Sequence, residues 1–138
     1  YTLWHTLSLH DALPIWWHQA PKELLYLYQD GLPTRERTGV VVVSQVLADE
    51  VNVGYSAFAE TTVQDLGGTK VRDIFHFAEL LAGRREGPVD MTTSFGGRMS
   101  FDAEEARRAN ARILERYRLP MDCSADLAPL LDGALTAR

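Results

Sequence analysis

The hydrophobic pattern of residues 39 to 83 predicts two strands, a tight turn and a helix in succession. The first strand is predicted at Val40 to Leu47, where β-branched residues dominate. Because its valines are consecutive rather than alternating, we expect this strand to be central and Val42 to lie in the core. The second strand is predicted at Thr61 to Leu66, and Gly67-Gly68 then supplies the positive φ angles that a tight turn requires.

A helix is predicted to follow this turn. Val71 returns the chain to the core, and Asp73 is placed to cap a helix that ends near Ala82 and Gly83. One apolar face of the helix carries four residues, Ile74, Phe77, Ala78 and Leu81. This face serves either core packing or ligand contact, and the pattern leaves both open.

A hairpin and a second helix are predicted toward the C-terminus. Val89 to Ser94 and Arg98 to Phe101 form the hairpin about Gly96-Gly97. Asp102 then caps an amphipathic helix that runs to about Tyr117, before Pro120. Upstream of the first strand, residues 22 to 30 predict a short helix with a proline at its start and a glycine past its end.

The first fifteen residues are interpreted as foreign to the protein. They show no clean hydrophobic period, and Thr6 to Ile15 is the mismatch-free translation of part of a widely used short-read sequencing adapter. We therefore expect a metagenomic reading frame whose natural part begins at about Trp16, with its own N-terminal portion missing, and we exclude the adapter from fold reasoning. The predicted domain covers residues 16–121, and residues 122–138 are a tail.

Composition narrows the classes of partner. The 138 residues less these fifteen leave 123, enough for one domain with a modest core. The net charge is −5, and the basic residues form no stripe, so nucleic acid is not an expected partner. No apolar run approaches the length of a membrane span. The single cysteine, Cys123, excludes an internal disulfide, and no metal or cofactor site is expected.

The order of elements resembles the PDZ modules of Deg/HtrA serine proteases. The likeness is carried by VVVVSQVL, by Asn52-Val53-Gly54-Tyr55, by TTVQDLGGTKVRDIFHFAELLAG and by ANARILERYRLPMDCSADL. It is nearest to the second PDZ domain of the plant-type Deg proteases and their bacterial relatives. One departure is that the Pro-Gly-Asp that usually precedes the second strand is absent.

The resemblance implies a fold and a set of groove residues. The fold is α+β, a PDZ-like small, partly open β-barrel or sandwich with a groove helix and an added C-terminal helix. PDZ domains bind peptides by adding a strand beside a sheet edge. The helix wall of such a groove would be Ile74, Phe77, Ala78 and Leu81. For a bacterial HtrA-like parent, the resemblance implies the periplasm or cell envelope.

No catalytic residue is expected in this chain. Only His18 and His76 are available as histidine bases in the natural part, and no serine lies in a nucleophile-elbow sequence. The resemblance therefore implies a non-catalytic interaction module of a serine endopeptidase. It would either bind C-terminal peptides or pack against the protease domain or a neighbouring subunit, with a possible homo-oligomer. A stand-alone PDZ scaffold without a protease partner is the alternative.

Overall fold

The computed structural model describes residues 33–131. The predictions for the adapter, for the helix at residues 22–30 and for the end of the tail lie outside these residues. The division into residues 16–121 and 122–138 therefore stays a prediction. No helix within residues 33–131 is long and apolar enough to cross a membrane.

The second strand, the turn and the first helix are confirmed. Strand β2 spans Thr61–Leu66 and pairs with the short strand β3, Thr69–Lys70. Gly67 and Gly68, with φ angles of 57° and 80°, form the two-residue turn between them. Helix α1 spans Ile74–Ala82. Its cap is Asp73, whose carboxylate accepts a hydrogen bond from the backbone N–H of His76 at 2.9 Å.

The hairpin and the second helix are confirmed as well. Strand β4 spans Pro88–Thr93 and strand β5 spans Arg98–Asp102, and the two are antiparallel. Helix α2 spans Ala103–Tyr117, and the Asp102 carboxylate accepts hydrogen bonds from two N–H groups of its first turn. The helix ends where Arg118 adopts the left-handed conformation, two residues before the predicted proline stop.

The first strand differs from its prediction. Strand β1 is only Val42–Val43, and within the described residues it forms one end of the sheet order β1-β2-β4-β5. Pairing stops there because its partner begins at Thr61, where the chain has just turned through Glu60 at a positive φ of 65°. The predictions of a long strand and of a buried Val42 are therefore wrong, and among the strands of residues 33–131 β1 is not central.

The burial of the consecutive valines explains the error. Val41 is 7% exposed, whereas Val42 is 38% exposed and Val43 is half-buried. A run of valines can thus alternate between two faces of a sheet edge just as a mixed sequence does. Continuous hydrophobicity does not mean burial on both faces here, because Val41 and Val43 meet the core and Val42 does not.

The core lies between the sheet and the two helices. Leu66 and Val89 are fully buried at its centre. The other members of the main buried cluster are Val41, Val63, Val71, Met91, Met99 and Ala103. Within residues 33–131, the five strands together with helices α1 and α2 confirm the predicted α+β, PDZ-like architecture with an added C-terminal helix.

Candidate functional site

Strand addition to this sheet depends on which backbone edges are open. Strand β5 lies at one end of the strand order, and the hydroxyl of Tyr55 contacts its outer edge. Ser100 N–H donates to that hydroxyl at 3.0 Å, and the hydroxyl donates to Ser100 C=O at 2.6 Å. Because both backbone groups of Ser100 are occupied, another strand cannot pair with β5 at this point.

Strand β1 lies at the other end of the order and presents a different edge. The carbonyls of Val41 and Val43 accept hydrogen bonds from Val63 N–H at 2.9 Å and Glu60 N–H at 2.6 Å. In an antiparallel pair the backbone groups of successive residues point to opposite sides. The N–H and C=O of Val42 therefore point away from β2, on the side where an added strand would pair.

The segment that leads into β1 is attached to the start of helix α1. Gly39 N–H donates to the carbonyl of Arg72 at 2.9 Å, and the Thr38 hydroxyl donates to the Asp73 carboxylate at 2.6 Å. A side chain on Gly39 would come within 3.3 Å of the Asp73 Cβ. The close approach of these two segments fixes the position of α1 relative to the β1 edge. The N–H of His76 and the Thr38 hydroxyl together lower the pKa of Asp73.

The four predicted groove residues all lie on the inner side of α1. Ala78 is 3% exposed, so it belongs to the core. Ile74, Phe77 and Leu81 are half-buried and pack against the main buried cluster. Leu81 also lines a cavity of about 390 Å³. The structure thus shows these residues packed, and their role in ligand contact stays a prediction.

His76 has a local structural contact. Its Nδ1 accepts a hydrogen bond from Arg72 N–H at 3.2 Å, just before the helix begins. The ring therefore closes the same first turn that Asp73 caps. His76 is one of the two histidines available as a base, and this hydrogen bond gives it a structural role.

A buried ion cluster fixes helix α2 to the segment after β1. The side chain of Asp49 has 0% exposure, and its two oxygens accept hydrogen bonds from Arg112 Nε at 3.0 Å and Nη2 at 2.5 Å. Arg116 donates to the same carboxylate at 3.1 Å. Arg116 and Tyr117 also donate to the carbonyl of Ala48, at 3.2 and 3.0 Å. Four side-chain donors of one helix end thus converge on two consecutive residues.

The cluster holds Asp49 in its ionised form. The hydrogen bond from Arg112 is the largest effect, and with the nearby N–H of Val51 and the charge of Arg116 it lowers the pKa of Asp49 to about 2, against the opposing effect of burial. The same hydrogen bond raises the pKa of Arg112. Asp49 also caps a short 3-10 helix, Glu50–Asn52. One carboxylate therefore shapes the loop and anchors the helix.

Sequence reasoning missed both Tyr55 and this cluster. A local signal for the cluster did exist, because Arg112 and Arg116 are four residues apart on one helix face. In the fold, both arginines reach the carboxylate of Asp49. No comparable signal marked Tyr55, whose partner is a backbone group 45 residues away.

Comparison with known proteins adds a family to this geometry. The model of the PDZ domain family matches residues 7–126. The chain is 29% identical over 98 residues to putative protease Do-like 3, mitochondrial, from Arabidopsis thaliana, which covers 71% of this chain and 18% of that protein. Two further Arabidopsis thaliana proteins match. Putative protease Do-like 12, mitochondrial, is 33% identical over 79 residues, covering 57% of this chain and 16% of that protein.

Protease Do-like 2, chloroplastic, is 32% identical over 88 residues, which covers 64% of this chain and 14% of that protein. The chain therefore spans less than a fifth of the length of these curated relatives. The family match begins at residue 7, inside the segment interpreted as adapter, and that interpretation stays a prediction.

Proposed function

This chain belongs to the PDZ domain family, and from that membership we propose that it is the non-catalytic interaction module of a Deg/HtrA-type protease, which holds domains or subunits of its parent together. The likeness to several Do-like proteases supports this parentage. The matched share of those proteins is small, so the protease activity would belong to a part of the parent outside this chain.

The anchored position of α2 is the observation that carries the proposal. One flank of the helix is fixed to Asp49 through Arg112 and Arg116, while its outer side is rich in exposed charged residues, among them Glu104, Arg108 and Glu115. Contacts between domains of one chain are more polar than obligate subunit interfaces. A rigid helix with a charged outer face suits such a contact, and a minimal peptide reader does not need it.

A chimeric protease tests the proposal. The segment of protease Do-like 2 that matches this chain would be replaced by the 138 residues, and the native mass would be measured by light scattering. We expect the chimera to keep the mass of the intact relative, and a deletion of the segment to lose it. Arg108→Glu with Glu115→Lys should weaken assembly, because two of the exposed charges of the outer face are reversed.

Arg98→Glu is the control for a charge reversal elsewhere on the surface, since Arg98 is exposed on β5 and away from that helix face. It should leave the mass unchanged. Assembly that tolerates the reversal on α2 as well as it tolerates Arg98→Glu would refute a role for this face.

Binding of C-terminal peptides is the second candidate, and one observation favours it. The outward backbone groups of Val42 and the attached helix α1 form the pair of elements that strand addition uses. A titration of the chain with peptides that carry a free carboxylate, and with their amides, distinguishes the two functions. Carboxylate-dependent binding that is lost in Phe77→Ala and kept in Phe75→Ala would favour the peptide reader, because Phe75 is 47% exposed on the same helix.

A further inference from the structure

A cavity of about 390 Å³ opens between the C-terminal end of α1, the β4–β5 hairpin and the start of α2. Its apolar lining includes Leu81, Val89, Phe101 and Ala106. The peptide groove considered above adjoins Asp73, at the opposite end of α1. The cavity is thus a second location, which shares only Leu81 with the predicted groove.

The charged residues of the cavity are mostly basic. Three arginines line it, Arg84, Arg85 and Arg107, against one carboxylate, Asp122. That carboxylate accepts a hydrogen bond from Asn110 at 2.8 Å, so one of its oxygens already has a donor. Three cations against one carboxylate give this lining a net positive charge, which favours an anionic ligand.

The three arginines differ in how far they are engaged. Arg84 donates to the carbonyls of Leu66 and Gly67 at 3.3 Å each, so it is held in place. Arg107 donates through Nε to the carbonyl of Ala103 at 3.2 Å. Arg85 is exposed, and within residues 33–131 its guanidinium makes no hydrogen bond or ion pair. The outer nitrogens of Arg85 and Arg107 are available to a ligand.

We propose that this cavity binds an acidic peptide segment that carries a large apolar side chain. The apolar side chain lies against Phe101 and Ala106, and the neighbouring carboxylate pairs with Arg85 and Arg107. The volume is at the lower end of the range of about 300 to 1,000 Å³ for ligand sites, so the cavity has room for a large apolar side chain. The proposal goes beyond the assembly function, since it concerns a different surface.

The experiment uses the full chain, labelled with ¹⁵N, and the peptide acetyl-Gly-Asp-Asp-Leu with a free carboxylate. We expect saturable shifts of the amide signals of Val89 and Ala106, and weaker binding when salt rises from about 0.05 M to about 0.5 M. Arg85→Glu and Arg107→Gln should each weaken binding by about threefold to tenfold, since each removes a cation from the rim. Arg98→Glu is the control, because it changes the net charge by the same amount as Arg85→Glu and lies outside the cavity.

Peptide variants identify the chemistry that is recognised. The C-terminal amide shows whether the terminal or the side-chain carboxylate pairs with arginine, and either result supports the site. A peptide with serine in place of leucine should bind at least about threefold more weakly, because it leaves the apolar lining exposed. Thermal midpoints of the variants confirm that each one is folded.

Three results would overturn the proposal. They are an absence of saturable shifts, equal weakening by Arg98→Glu and Arg85→Glu, and equal affinity for the leucine and serine peptides. Loss of binding in Phe77→Ala with none in Arg85→Glu would assign the peptide to the groove instead. Failure of the chimeric protease to assemble would not affect the outcome, so the two proposals are tested separately.

Discussion

Arg112 forms a two-pronged ion pair with Asp49 across 63 residues of sequence, with Nε on one carboxylate oxygen and Nη2 on the other. The carboxylate is fully buried, whereas about half of the arginine side chain is exposed. The pair joins the loop after β1 to the last turns of α2. The added helix is therefore an integral part of the domain, because its removal would leave a buried carboxylate without its cations.

Replacement of Asp49 by asparagine should lower the thermal midpoint, because the amide cannot accept from both arginines and brings a donor against them. Thermal denaturation followed by far-UV circular dichroism measures the change. Glu104→Gln is the matched control, since the pair of Glu104 with Arg108 is exposed and 3.6 Å long. A midpoint for Asp49→Asn as high as that of the control would contradict the anchoring role.

Acid should lower the stability of the parent protein more than that of the Asp49→Asn variant. The folded pKa of Asp49, about 2, lies below its ordinary value of 3.8, so its stabilising effect is present above about pH 4 and is lost as pH falls toward 2. Asp73 and Asp126 shift in the same direction and remain in both proteins. Urea midpoints measured across this window should therefore converge. If the urea midpoints of the two proteins change in parallel with pH, ionisation of Asp49 does not stabilise the fold.

Replacement of two adjacent valines by aspartate should lower the stability to very different extents. Val41→Asp places a carboxylate in the core without a partner and should cost several kcal/mol, a large part of a total of about 5 to 15 kcal/mol. Val42→Asp keeps its carboxylate partly in water and should unfold at a denaturant concentration closer to that of the parent. Equal loss of stability in the two variants would indicate that both faces of β1 are covered.

Glycine at position 95 should stabilise the hairpin turn. Phe95 has a φ of 62° and a ψ of 22°, a left-handed conformation that costs a side-chain-bearing residue about 1 kcal/mol, and its ring is 76% exposed. We expect Phe95→Gly to raise the free energy of unfolding by about 0.5 to 1 kcal/mol. Phe95→Ala keeps the backbone conformation and should gain little. An equal rise in the free energy of unfolding in both variants would indicate that the Phe95 ring, and not the backbone, is strained.

Elements specified by nearby residues could be predicted from the sequence. The Gly67-Gly68 turn and the caps Asp73 and Asp102 act over two to four residues, so their signals are local. The apolar face of α1 could also be predicted, because its apolar residues recur at helical spacing. These rules fixed the bounds of β2 and α1 without knowledge of the rest of the fold.

Features that depend on distant partners could not be predicted in this way. The length of β1 depends on where β2 begins, about twenty residues later along the chain, and Asp49 resembles a solvated acid beside Glu50 until α2 packs on it. The basic cavity needs residues of both helices and the hairpin. Each of these features is a property of the packed chain, for which local spacing carries little information.

The hydroxyl of Tyr55 has a consequence for the behaviour of the protein at high concentration. An unpaired strand edge is a template on which other copies can stack, and the resulting aggregates grow without limit. By occupying the backbone of Ser100 from the side, one phenol interrupts the row of donors and acceptors in the middle of β5. Tyr55, which packs against the core and belongs to neither proposed binding surface for peptides, thereby protects this edge from pairing with another copy.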